Sequence, residues 1–300
     1  MTISIFCLED PFSPSSGYQI PIYYRIKYYD FSTCIVFINR ADNIVPKCYD
    51  YSFFGKRVKV VELRLFYPTN VVHKLYRFFV RKLPFFSCEE SVNINQVIEE
   101  YIEDSNSIIY FEGEKFANIS LDSGSSYYRI LSVNDSLSLA YEEEFKYGIY
   151  QLGFKRFFRY LNYVRIVRFE SQNYSRFDEC QVVSSVDAFY LNSLNTQINT
   201  SVHDIGVDHL FFRPVLKENM TLDEDVLLIV GNLIGGNLQY TQNFIDSVWS
   251  RYIEKHRDHK LKIVSRTLPN HWSEEFVIDN NLEILNDVES LPEVYQTCSA

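Results

Sequence analysis

Five apolar residues, Val226-Leu227-Leu228-Ile229-Val230, run without interruption and stop at Gly231. A helical pattern follows through Tyr240-Thr241-Gln242-Asn243-Phe244-Ile245-Asp246, and a second apolar run appears at Lys260-Leu261-Lys262-Ile263-Val264. Apolar runs of strand length that flank a helix-length period describe a β-α-β unit. Where a strand ends at glycine and opens a helix, free backbone N–H groups and a partial positive charge suit a phosphate-bearing ligand. Few other arrangements satisfy that sequence of signals.

The same pattern recurs upstream. Residues 3–8 read as a buried strand, Glu9 to Gly17 as a turn-rich loop, Ile20 to Tyr29 as a helix, and Cys34-Ile35-Val36-Phe37-Ile38 as a second strand. Further strands are expected at 58–65, 107–111, 128–133, 180–184 and 201–205, with helices at about 73–83, 92–104, 137–147, 153–174 and 186–194. Strands that alternate with helices of this length argue for a parallel, doubly wound α/β sheet. After Pro214, the polar stretch Lys217 to Asp225 has no apolar period. It makes a natural linker, so the expected organisation is a Rossmann-like domain over 1–216, a linker at 217–224, and a second Rossmann-like domain beginning at 225.

The 300 residues suffice for two such domains. No run of about 18 apolar residues occurs, and the first residues lack the basic flank and small-residue cleavage site of a signal peptide, so the expected location is the cytosol. Six cysteines without a CxxC pair or CxxxH cluster read as buried free thiols rather than a zinc site or disulfide framework. A net charge of −10 argues against nucleic acid as a partner. Two stretches run against that balance. Lys74, Arg77 and Arg81 lie among Phe78, Phe79, Phe85 and Phe86, and Lys155, Arg156 and Arg159 lie among Phe154, Phe157, Phe158 and Tyr160. Basic side chains beside exposed aromatics fit peripheral contact with an anionic inner-membrane face; the competing reading is a pair of amphipathic helices with their aromatics packed inward.

Two loops are candidates for a phosphate group, Ser15-Ser16-Gly17-Tyr18 after the first strand and Gly231-Asn232 after Val230. Each alone is weak, because glycine at a strand end is commonly a turn requirement. Together, on two sheets, they match the rule that open α/β sheets bind ligands at the carboxyl ends of their strands. Glu112, at the end of strand 107–111, reads either as a carboxylate acting on an acceptor hydroxyl or as a helix-start charge beside Gly113. Asp135 and Ser136 fit a cap for the helix starting near Leu137.

Several segments in order resemble family 4 glycosyltransferases. They are Arg129 to Ser136; Arg168-Phe169-Glu170 with Tyr174; Phe177 to Asp187; Val202 to Pro214; and Gly231-Asn232-Leu233 with Tyr240 and Asn243. The resemblance implies a GT-B-like fold of two Rossmann-like domains, the second incomplete. It also implies transfer of a hexose from a nucleoside diphosphate sugar to a saccharide or lipid-linked acceptor in bacterial polysaccharide assembly, with no metal or other cofactor. By the same resemblance, Asn134 and Asp135 stand beside the donor sugar. Ser16, Gly17, Gly231 and Asn232 cradle the donor phosphates, Arg266 pairs with the diphosphate, and Asp287 and Val288 meet the base. The chain departs from the family at Ile205, Gln242 and Ser265. A Glu-x7-Glu segment that retaining members use would lie beyond Ala300, so the sequence is expected to be a fragment or a truncated transferase. A truncated, non-catalytic partner of a membrane enzyme or glycan is the alternative.

Overall fold

The computed structural model describes residues 2–13, 19–40, 42, 45–67, 70–102, 107–122, 126–146, 153–204, 206, 226–231, 233, 235–267, 269, 272, 274–286, 288, 291–296 and 298. The chain divides into two compact units, Met1–Gly206 and Val207–Ala300. The expected linker 217–224 lies outside the described residues.

The first unit begins with β1 (Thr2–Cys7), α1 (Gln19–Tyr28), β2 (Thr33–Asn39), β3 (Lys47–Phe53) and β4 (Lys56–Leu63). It continues with α2 (Val71–Phe79), α3 (Ile94–Tyr101), β5 (Ile108–Glu112), β6 (Tyr128–Ser132), α4 (Leu137–Lys146) and α5 (Phe154–Asn173). It closes with β7 (Glu179–Val182), α6 (Ser185–Leu194) and β8 (Thr200–Val202). Its eight strands form one sheet in the order β3-β4-β2-β1-β5-β6-β7-β8.

All of its pairings are parallel except β3 with β4. The antiparallel edge hairpin is an addition to the expected parallel, doubly wound sheet. β3 and β4 form a hairpin that closes Phe53 on Lys56. Both turn residues, Phe54 at φ 49° and Gly55 at φ 74°, have the positive φ that two-residue hairpins use to match strand twist.

Side chains leave β1 alternately on the two faces. Phe6 stacks on Phe37 at 4.2 Å and on Phe111 at 5.1 Å, on the face covered by α3, α5 and α6. Ile3 and Ile5 pack with Ile22 and Ile26 of α1 in a separate cluster. Burial on both faces is why these strands read as solid apolar runs.

The second unit contains β9 (Val226–Val230), α7 (Gly235–Phe244), α8 (Ser250–Ile253), β10 (Lys260–Val264), α9 (Glu274–Asp279), β11 (Leu282–Leu285) and α10 (Leu291–Gln296). Its strands are parallel in the order β11-β10-β9. A π-helical turn over Ile245–Trp249 joins α7 to α8. That turn buries Ile245 and Trp249 against Leu261 and Ile263, and the Trp249 indole N–H donates to the Asn280 carbonyl at 2.6 Å. None of the six cysteines is disulfide-bonded; Cys48 is exposed, contrary to the expectation of buried thiols, because β3 is an edge strand.

Candidate functional site

In the first unit the strand order reverses between β1 and β5: β2 and β4 extend the sheet to one side of β1, and β5 to β8 to the other. Crossover helices leave in opposite directions at such a point and open a crevice beyond the carboxyl ends of the two strands. A cavity of about 120 Å³ lies there, lined by Leu8 and Glu9 after β1, Gln19 at the start of α1, Glu112 at the end of β5, Lys115 beyond it, and Asn134 after β6.

Glu112 does not stand free as a base. Its carboxylate is ion-paired with the Arg25 guanidinium, and both side chains are buried. Arg25 also reaches Gln181 Oε1 at 3.4 Å and lies over the Tyr110 ring at 4.2 Å. Burial draws the Arg25 pKa below its ordinary value, with Tyr110 and Tyr29 opposing. Glu112 lines the cavity with its charge already met by Arg25 behind it, and the remaining chemistry is left to the other lining groups. Arg25 carried no sequence assignment, although Gln19, Ile22, Arg25 and Ile26 share one buried helical face, a spacing that marks the position as inward.

Asn134 is held from three sides. Its carbonyl accepts from Val183 N–H at 3.1 Å, and the preceding Val133 N–H donates to Gln181 O at 2.9 Å. Beyond it, Ser136 N–H donates to Asp187 Oδ1 at 2.8 Å and Leu137 N–H to Glu170 Oε1 at 2.9 Å. Ser136 Oγ accepts from Leu139 N–H at 3.3 Å, so the cap of α4 is Ser136, assisted by the Glu170 carboxylate. Burial raises the Glu170 pKa to about 7, while hydrogen bonds from Ser138, Ser136 and Leu137 pull it down. Asp135 is exposed; lost hydration, then the charge of Asp187, raises its carboxyl pKa above the usual range.

In the sequence, Glu170 and Asp187 fall within the segments that resemble family 4 glycosyltransferases and have no separate role. Their common task is to fix the loop that presents Asn134 to the cavity. Glu9 and Lys115 were missed as well, and the strand-end rule that singled out Glu112 would have found them.

In the second unit, Gly231, Arg266 and Val288 follow the carboxyl ends of β9, β10 and β11. Gly231 N–H donates to Val264 O at 3.0 Å. Open space surrounds the position a Cβ would occupy at Gly231, so no close packing demands a glycine there. Ser265 Oγ accepts from Leu233 N–H at 3.1 Å, which ties the loop after β9 to the end of β10. Arg266 is exposed and Val288 half-buried. Ser16, Gly17, Asn232 and Asp287 lie outside the described residues.

Solved structures share this architecture. An E. coli structure described as trehalose-6-phosphate bound with UDP-2-fluoro glucose aligns over 99% of this chain and 76% of its own, with TM-score 0.57 and 9% identity. A UDP-forming alpha,alpha-trehalose-phosphate synthase from Burkholderia xenovorans, in complex with glucose-6-phosphate, aligns over 98% and 76%, with TM-score 0.53 and 8% identity. A further trehalose-6-phosphate synthase structure aligns over 99% and 76%, with TM-score 0.58 and 9% identity. The chain has the GT-B fold. No family model and no curated protein matches it in sequence.

On this GT-B chain the expected membrane-facing residues divide. Arg77 is 1% exposed and donates to Ser87 O and Cys88 O at 2.7 Å each, so it is a structural residue of the loop after α2. Arg159 pairs with Glu144 at 2.8 Å, and Arg81 with Glu89 at 2.7 Å. Lys74 and Arg156 are half-buried. The side chain of Lys155 is outside the described set.

Proposed function

We propose that this chain is a glycosyltransferase that moves a hexose from a nucleoside diphosphate sugar to a hydroxyl of a saccharide or lipid-linked acceptor. The observation that supports this reading is the cavity at the β1–β5 reversal, in a chain whose GT-B fold is shared by structures described with UDP-2-fluoro glucose and glucose-6-phosphate. Glu9, Lys115 and Asn134 give it hydrogen-bonding groups of both senses, which suits the alternating donors and acceptors of a sugar's hydroxyls. In this reading Asn134 touches the sugar next to its reacting carbon. An amide dipole presented there by a hydrogen-bonded backbone stabilises positive charge as it develops.

The donor diphosphate is assigned to the strand ends of the second unit, at the loop that opens with Gly231, whose own N–H is taken by Val264 O, and at Arg266, which brings a guanidinium. No metal or other cofactor is assigned a role. Retention of configuration and a place in surface-polysaccharide assembly complete the proposal.

The test is acceptor-dependent release of nucleoside diphosphate from a panel of UDP-, GDP- and ADP-hexoses, with the anomeric configuration of the product read by NMR. Turnover with a retained configuration supports the reading. A folded chain that releases no nucleotide with any donor and acceptor pair counts against it.

A further inference from the structure

Helix α2 has its apolar side turned outward. With about 100° between successive residues, Val71, Leu75, Phe79, Val72, Tyr76 and Val80 fan over about half of its circumference. All six are exposed, Val72 by 76% and Val80 by 62%. The inward side carries Arg77 and Phe78. This is the reverse of an amphipathic helix that packs its aromatics on a core. On α2 the inward-packing reading holds for Phe78 and fails for Phe79.

The patch continues on α5. Phe157, Tyr160 and Val164 are exposed at i, i+3 and i+7, and so form one stripe. Phe79 meets Phe158 at 5.9 Å, and Phe158 meets Phe157 at 6.1 Å, which links the two helices by rings. Contiguous apolar surface of this kind on a folded domain marks a contact.

We propose that α2 and the outer stripe of α5 dock this chain on an anionic lipid membrane. Charge selects lipid as the occupant. The chain carries 39 acidic residues against 29 Lys and Arg, yet residues 63–88 contain no Asp or Glu and five Lys or Arg. Residues 145–169 contain none and six. The two spans that build the apolar patch are thus acid-free in an acidic protein. Their basic side chains include Lys74, Lys82 and Arg156, of which Lys82 is exposed just after α2; Arg81 and Arg159 are ion-paired with Glu89 and Glu144, which flank the two spans.

Basic groups beside a helix that presents Val, Leu and aromatic side chains are the composition of an interfacial anchor, with the helix lying in the headgroup plane. Among the described residues no helix is long and apolar enough to cross a membrane. The contact is therefore peripheral and reversible, and it does not depend on which reaction the chain performs.

The test is co-sedimentation of the whole chain with phosphatidylcholine vesicles, with and without phosphatidylglycerol, at rising salt. Binding is expected with phosphatidylglycerol only, and it should weaken as salt screens the charges. Val72→Gln with Val80→Gln, and separately Lys82→Glu with Arg156→Glu, should each lower the bound fraction by about tenfold. Circular dichroism should show both variants folded. Absent binding, equal binding to neutral vesicles, or binding by both variants as strong as that of the parent chain would overturn the proposal. So would a dimer in velocity sedimentation that Val72→Gln with Val80→Gln dissolves, because the patch would then belong to a second copy.

Discussion

Glu170 on α5 accepts the Leu137 N–H at 2.9 Å and thereby caps α4 from a neighbouring helix. The carboxyl group is fully buried and also receives the Ser136 hydroxyl at 3.2 Å. Asp187 at the start of α6 takes the Ser136 N–H in the same way. Two helices therefore set the position of a loop that neither belongs to, and that loop carries Asn134.

Glu170→Ala should destabilise the chain by about 3 kcal/mol, because buried donors at the start of α4 lose their acceptor. Glu170→Gln keeps one acceptor oxygen and should cost less. Urea unfolding of the three proteins at one pH gives the order.

The same carboxyl predicts a pH dependence. Its folded pKa of about 7 lies above the ordinary 4.5, so between those values the folded chain holds a proton that the unfolded chain releases. The stability contributed by the protonated form is full below pH 4.5 and is lost as pH rises through 7. Relative to the parent chain, Glu170→Gln should remove this fall. A difference between the two proteins that does not change from pH 5 to pH 8 would contradict it.

Arg25→Met should cost about 3–5 kcal/mol, since Glu112 would keep a buried charge with no counter-ion. Adding Glu112→Gln should restore much of the loss. A double-mutant cycle in urea measures the coupling.

Asn134→Ala should leave the unfolding curve within about 0.5 kcal/mol of the parent, because the loop is held through backbone groups and by Glu170 and Asp187. Donor turnover should fall by about tenfold or more, the worth of one well-placed hydrogen bond. Equal turnover by the variant would remove Asn134 from the site.

Gly113 has φ 110°, in a region L side chains avoid, and a Cβ there would meet Leu8 Cδ1 at an ordinary 3.6 Å. Gly113→Ala should therefore cost about 1–2 kcal/mol through backbone strain rather than a clash. A melting temperature equal to that of the parent would refute the assignment.

The sheet was legible where burial erases alternation, as in Ile3 to Cys7 and Cys34 to Ile38, since a strand covered on both faces has nothing polar to interrupt it. β3 was not, because Lys47 to Ser52 are all exposed on an edge and the turn at Phe54-Gly55 lacks the usual Asn or Asp. The strand ends led to Glu112 and Asn134, but the partner of Glu112 comes from α1, 87 positions earlier, and pairing at that distance leaves no local trace. On α2 the basic and aromatic residues were recognised while their directions were not. A helical period separates two faces without telling which one meets the sheet, and here Arg77 faces inward and Val72 outward.

Titration calorimetry of the chain with UDP, GDP and ADP and their hexose esters tests the central reading most directly. The account predicts saturable binding of at least one nucleoside diphosphate hexose, weakened about tenfold by Asn134→Ala with the fold intact. No heat of binding for any donor by the folded chain, or equal affinity in the variant, would contradict it.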